Sequence, residues 1–222
     1  MNDFFKINLE EKNQVLAQIK TICSLSNQQE QSLSKYVETI LQENQNFNFI
    51  GKSTINNIWH RHILDSAQLF ALIENKNQIF ADFGSGCGLP GLVLSILGIK
   101  EIHLIEKSFR KAEFLKKSRS FSQEKVFVHQ SFLENVAIKN FDVIVSRAFA
   151  PLPKLLNYVT KFLNPNGYCL FLKGKNLLNE ISTAQQQFIF DYKLSSSITS
   201  PESKIIKITN IIAKNDVKYE NS

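Results

Sequence analysis

The stretch from Ile79 to Gly91 limits the fold more than any other part of the chain. A short apolar run, Ile79–Phe83, leads into Gly-Ser-Gly-Cys-Gly-Leu-Pro-Gly at 84–91 and then into the apolar segment Leu92–Ile99. A strand that breaks on closely spaced glycines and restarts as a helix is the opening unit of a doubly wound α/β fold. Glycine tolerates the positive φ of so sharp a turn and leaves room for a ligand against the backbone. The alternation continues downstream. Apolar runs at 102–105, 126–129, 143–146, 168–172 and 205–213 are separated by helix-like segments near 90–97, 109–121, 151–163 and 175–188. That pattern predicts crossover units and a mostly parallel sheet covered on both faces. Ligands bind such sheets beyond the carboxyl ends of the strands. The chemistry is therefore expected just after Phe83, Ile105, His129 and Ser146.

Upstream the pattern is helical. Ser26 with Gln29 reads as a capping box, followed by Leu33, Tyr36, Val37, Ile40 and Leu41 at spacings of three and four. Leu9–Ile22 reads as an earlier helix, the Asn-rich stretch 44–57 as a loop, and Ile58–Ile73 as a further helix with Trp59, Ile63, Leu64, Leu69 and Leu72 available for burial. The expected division is a helical extension over 1–57, a domain over 58–215 and a disordered tail over 216–222.

Read as Gly86-x-Gly88-x-x-Gly91, the glycines also satisfy a dinucleotide fingerprint, with Glu106 twenty residues after Gly86 as the ribose acid. On the glycines alone a nicotinamide enzyme remains open. Two neighbours favour another cofactor. Asp82 precedes the first glycine by two positions, where a carboxylate repels a pyrophosphate and suits an ammonium-bearing tail, directly or through water. Pro90 stands near the start of the next helix and has no N–H to offer an anion. S-adenosyl-L-methionine carries a sulfonium and an ammonium and no phosphate, so the loop suits it.

The whole chain has 222 residues and a formal charge of +6, a balance compatible with a polyanionic partner without requiring one. The densest basic stretch is Lys107, Arg110, Lys111, Lys116, Lys117 and Arg119, relieved by Glu113. Arg110 and Lys111 open it, near the expected cofactor mouth, and are the candidates for phosphate contact. Three widely spaced cysteines argue against a disulfide framework and fit a reducing cytosol. No leader and no membrane-spanning run is read, so a cytoplasmic protein is expected. His60 and His62 point to different helix faces with no acid or Cys cluster beside them, and no metal is expected. His62 and Asp65 are read as hydrogen-bonding locally and bracing the helical extension against the sheet. Nothing demands more than a monomer.

Four stretches resemble a known family. They are Arg61-His-Ile-Leu-Asp-Ser66, the loop Asp82–Gly91, Phe141-Asp-Val-Ile-Val-Ser-Arg-Ala148, and Leu172-Lys-Gly174. In order and spacing they resemble the bacterial 16S rRNA (guanine-N7) methyltransferase family, also called glucose-inhibited division protein B. The resemblance implies a class I methyltransferase fold, Rossmann-like with a seven-stranded sheet, and an N-terminal helical extension. It implies cofactor contacts at Gly84, Leu89, Leu133, Glu134 and Arg147, beside Asp82, Gly86 and Glu106. It also implies methyl transfer to N7 of a guanine in the 530-loop of the decoding region, with 16S rRNA or the small ribosomal subunit as partner. The chain departs from the family pattern at Phe132, where an arginine is frequent, at Asn48-Phe-Ile-Gly51, and at Cys87.

Guanine N7 already presents a lone pair, so transfer to it needs alignment and no dedicated base. After the fourth strand the chain has Ser146-Arg-Ala-Phe-Ala-Pro151 and lacks the Asn/Asp-Pro-Pro-aromatic turn common in methyltransferases of exocyclic amines. Arg147 is the positioning candidate, holding the cofactor or donating to the guanine O6/N7 edge, with Arg110 and Lys111 beside it. Arg61 and Lys173 complete the RNA-facing candidates. The competing functions are a same-fold methyltransferase for another RNA, a small molecule or a protein, and a catalytically silent RNA-binding module.

Overall fold

Alternation of side chains along the central strands determines how the chain layers. Phe80, Ile102, Leu104 and Val126 join one apolar cluster, while Ala81, Phe83 and Ile105 join another on the opposite face. A strand places successive side chains on opposite faces, so a sheet apolar on both must be covered on both. The computed structural model describes residues 8–216. The tail expected at 216–222 lies outside the described residues apart from Asp216.

The strands are β1 (Ile79–Phe83), β2 (Glu101–Glu106), β3 (Lys125–Gln130), β4 (Phe141–Arg147), β5 (Leu163–Lys173), β6 (Phe188–Ser196) and β7 (Lys204–Ala213). They form one sheet in the order β3-β2-β1-β4-β5-β7-β6. Neighbours among β1–β5 run parallel, and β7 runs antiparallel to both β5 and β6. The expected mostly parallel seven-stranded sheet is therefore present. Strand order reverses direction between β1 and β4, so the loops after these strands part and leave a crevice.

The first face carries α1 (Leu9–Ile22), α2 (Asn27–Asn44), α4 (Gly91–Ile96) and α5 (Phe109–Ser118); the second carries α6 (Leu152–Phe162) and α7 (Leu177–Gln185). Both hydrogen bonds of the Ser26–Gln29 capping box form, and Gln29 Nε2 also donates to the Ile96 carbonyl at 2.9 Å, tying α2 to α4. Leu33, Tyr36, Val37 and Ile40 are fully buried. Each such side chain contributes roughly 1.5–3 kcal/mol on burial, so this stripe holds α2 on the sheet.

The helix expected over 58–73 is not regular. It opens with a π-helical turn, Trp59–Leu64, passes through α3 (Asp65–Ala67) and closes with a 3-10 turn, Gln68–Leu72. The stretch 44–57 is likewise not wholly loop, since Lys52–Asn57 forms a 3-10 helix. No helix among the described residues is long and apolar enough to cross a membrane.

Candidate functional site

The loop after β1 turns on Gly84, Gly86 and Gly88, all at positive φ. Two of these positions also admit no side chain. A Cβ on Gly84 would stand 2.2 Å from the Phe149 ring, and one on Gly88 would stand 2.8 Å from Leu92 and 3.0 Å from the Tyr36 hydroxyl. The loop is thus pinned between Phe149, from the segment after β4, and Tyr36 of α2. Tyr36 donates to the Cys87 carbonyl at 2.7 Å.

Asp82 lies wholly buried beneath this loop. Its Oδ2 accepts from the Gly91 N–H at 2.9 Å, and its Oδ1 has no partner within the protein. Burial pushes its carboxyl up to about 7, against the lowering effects of the Gly91 bond and of Arg147. Pro90 caps α4 and Gly91 opens it. The first free N–H of that helix is therefore already taken by a carboxylate, which leaves no place for a phosphate.

Glu106, at the end of β2, accepts from the Gly86 N–H at 2.9 Å through Oε2 and from the Ser108 N–H at 2.8 Å through Oε1. It lines a cavity of about 440 Å³ together with Gly84, Gly86, Lys111, Phe132, Leu133 and Glu134. Five of the eight expected cofactor residues therefore meet in one pocket. The other three do not line it. Leu89 is 4% exposed and packs in the core, Asp82 lies under the floor, and Arg147 faces elsewhere. Glu134 accepts from the Tyr158 hydroxyl at 2.6 Å, a bond that holds its carboxyl below the usual range. Nothing in the sequence reading pointed to Tyr158.

Arg147 ends β4 and reaches back to the irregular helix 59–72. It donates to Asp65 Oδ2 at 3.3 Å, to the Arg61 carbonyl at 3.3 Å and to His62 Nδ1 at 3.0 Å. Since a guanidinium only donates, His62 Nδ1 accepts, and its Nε2–H donates to Thr54 Oγ1 at 2.8 Å. Burial and the two neighbouring arginines push the imidazole down to about 3, so it is neutral. The His62 and Asp65 side chains do not bond to each other; Arg147 bonds to both and links them. Arg147, Arg61, His62, Asp65 and Lys173 line a second cavity, of about 600 Å³, which shares the wall Ala148–Ala150 with the first.

Residues 29–209 match the family described as rRNA small subunit methyltransferase G, GidB. The chain belongs to that family. Ribosomal RNA small subunit methyltransferase G of Rhodospirillum rubrum is 36% identical over 179 residues, spanning 81% of this chain and 89% of its own. That of Rickettsia akari is 38% identical over 181 residues, spanning 82% and 94%. Among solved structures, the ribosomal protein L11 methylase of Lactobacillus delbrueckii subsp. bulgaricus superposes with a TM-score of 0.56 at 19% identity, over 68% of this chain and 78% of that one. A putative S-adenosyl-L-methionine-dependent methyltransferase of Methanococcus maripaludis gives 0.55 at 17%, over 76% and 92%. These likenesses concern the fold, which is that of the class I S-adenosylmethionine-dependent methyltransferases. S-adenosylmethionine is the cofactor.

The residues of this family member fit it. The unpartnered Oδ1 of Asp82 offers an acceptor beneath the glycine loop, and the ionised form of that acid suits a cationic tail. Each oxygen of Glu106 takes one backbone N–H and keeps a lone pair for a ribose hydroxyl. At the pocket lip Phe132 is exposed and carries Lys107 over its ring at 5.5 Å.

The basic candidates divide by placement. Arg110 is exposed, with its guanidinium 4.7 Å from the Phe47 ring centroid, and Lys111 lines the first cavity. Arg61 is exposed at the rim of the second cavity. Lys173 is otherwise employed. Its ammonium donates to Glu180 and to the Ala150 carbonyl, both at 2.7 Å, from a side chain only 9% exposed. It ties the shared wall to α7 while lining the second cavity.

Proposed function

We propose that the protein transfers the methyl group of S-adenosylmethionine to N7 of a guanine in the 530-loop of 16S rRNA by direct in-line displacement. Membership of an rRNA small subunit methyltransferase family supports the RNA; the atom is argued from the site. The observation that carries it is the engagement of the ionisable groups around the shared wall. Both ring nitrogens of His62 are bonded, Asp65 accepts from Arg147, Thr199 and Gln68, and Glu180 is paired with Lys173. No free general base lines the second cavity among the described residues. An exocyclic amine or a hydroxyl acceptor has a proton to lose, whereas guanine N7 has none, so the arrangement favours N7.

The cofactor supplies an electrophilic methyl on a sulfur leaving group: the S–CH₃ bond breaks with its electron pair left on sulfur, and the N7–CH₃ bond forms. The chain's part is to hold and align. Asp82 and Glu106 anchor the two ends of the cofactor, with Gly84, Gly86, Leu133 and Glu134 forming its bed. Arg147 is held by its three ties at the acceptor side. Arg110, Lys111 and Arg61 bind phosphates of the RNA. In this reading the helical extension over 1–57, described from residue 8 onward, braces a catalytic domain over 58–215, and the protein works as a cytoplasmic monomer on the small subunit.

Transfer of labelled methyl to small subunits from cells lacking this protein, followed by mapping of the modified base, tests the reading. Label at guanine N7 in the 530-loop is expected. Label in protein, or at another base, overturns it.

A further inference from the structure

We propose that the second cavity is the pocket of the acceptor base, and that the turn between β6 and β7 forms the wall that recognises it. The inference rests on the guanine reading above and assigns that base a place and contacts. The cavity, about 600 Å³, falls within the roughly 300–1,000 Å³ of small-ligand sites. Ala148, Phe149 and Ala150 line it on one side and the cofactor pocket on the other. Reacting atoms must approach to about 3–3.5 Å, and a wall three residues long is where two bound molecules can meet.

The opposite wall comes from the far end of the chain. Thr199, Ser200 and Ser203 line the cavity. The turn is fixed by other groups: Thr199 Oγ1 donates to Asp65 Oδ1 at 2.6 Å, Gln68 Nε2 donates to Ser197 Oγ at 3.1 Å, and the Ile198 N–H donates to Gln68 Oε1 at 2.9 Å. These bonds use Ser197, Ile198 and Thr199, so the half-buried hydroxyls of Ser200 and Ser203 are left facing the cavity. On the β4 side, Arg147 makes three bonds with five N–H groups, which leaves two donors. Phe149, half-buried with its ring over Gly84, offers an aromatic face at the shared wall.

These groups match the edges of guanine. The remaining Arg147 donors suit O6, which adjoins N7. The serine hydroxyls suit the N1–H and N2 donors, and Phe149 suits the ring face. Contact with N1 and N2 occupies the pairing edge, so the base enters unpaired or flipped out of its helix.

The test uses the full chain with small subunits lacking the modification as methyl acceptor. For each variant it measures kcat and KM for transfer, the cofactor dissociation constant by calorimetry, and the melting temperature. Replacing Ser200→Ala and Ser203→Ala together is expected to lower kcat/KM about tenfold or more, with cofactor affinity and melting temperature unchanged. Phe149→Leu is expected to lower kcat/KM comparably, and Phe149→Tyr to restore it. Should the serine variant and Phe149→Leu both keep kcat/KM within twofold while the wild type labels guanine N7, the pocket assignment is overturned and the N7 reading stands. Absence of label at any guanine with the wild-type protein overturns both.

Discussion

The phenolic hydroxyl of Tyr36 donates to the carbonyl oxygen of Cys87 at 2.7 Å from a wholly buried side chain. A residue of the second helix thereby holds the middle of the cofactor loop, fifty-one positions downstream. The second helix thus bears directly on the glycine loop.

Tyr36→Phe removes that donor and leaves a buried carbonyl unpaired. Such a loss costs about 1–3 kcal/mol. The variant is expected to melt several degrees lower and to bind S-adenosylmethionine severalfold more weakly by calorimetry. An unchanged cofactor affinity would show that the loop keeps its shape unaided.

With Asp82 as the proposed partner of the cofactor's tail, cofactor binding is expected to depend on pH. Its carboxyl stands at about 7 in the folded protein against an ordinary 3.8. Between those values the folded state keeps a proton that the unfolded state has released. The contribution of this group to stability is therefore complete below the unfolded value and declines as pH rises toward the folded one. A cationic tail nearby favours the ionised form, so cofactor affinity is expected to rise from pH 6 to pH 8. Asp82→Asn should flatten the slope. Titration calorimetry at both pH values decides it, and a flat wild-type response would count against Asp82 as the tail's partner.

Glu106→Gln replaces an acceptor of two backbone N–H groups by a side chain with one acceptor oxygen. Either the Gly86 or the Ser108 N–H then faces an amide NH₂. Hydrogen bonds to charged groups contribute about 1.5–3 kcal/mol, so cofactor affinity is expected to fall by tenfold or more. Circular dichroism should still report a folded chain.

Arg110 and Lys173 are expected to separate cleanly. Arg110→Gln should leave stability unchanged and reduce the slope of log affinity for RNA against log salt by about 0.7–0.9, the share of one phosphate contact. Lys173→Met should leave that slope alone and lower stability by roughly 3 kcal/mol, because Glu180 loses its buried partner. Filter binding across a salt series, with denaturant melts of both variants, checks the pair.

The parts of the fold legible in the sequence are those governed by local pattern. Gly84, Gly86 and Gly88 announce a turn by their own freedom of φ, and Ser26 with Gln29 announces a helix start within four residues. Glu106 is legible because its distance from the loop is fixed by one helix and one strand. β6 escaped notice although Phe188, Phe190, Tyr192 and Leu194 alternate along it. It is an edge strand, mostly exposed beyond Phe190, so Ile189 and Lys193 blur the period. The role of Lys173 was not legible either, since its partners Glu180 and the Ala150 carbonyl are set by how α7 and the β4 loop dock. Tyr158 meets Glu134 from a separate helix, and no spacing rule links the two.

The bond from Thr199 to Asp65 joins residues 134 positions apart. Chains are synthesised from the amino terminus, and a domain folds as a unit. The loop that holds the cofactor has emerged in full once Gly91 has left the ribosome, and its bracing wall follows by Lys173. The turn carrying Thr199, Ser200 and Ser203 comes only with the last two strands. Every residue that lines the first cavity is therefore made before the turn that walls the second. The second cavity is complete only in the finished molecule.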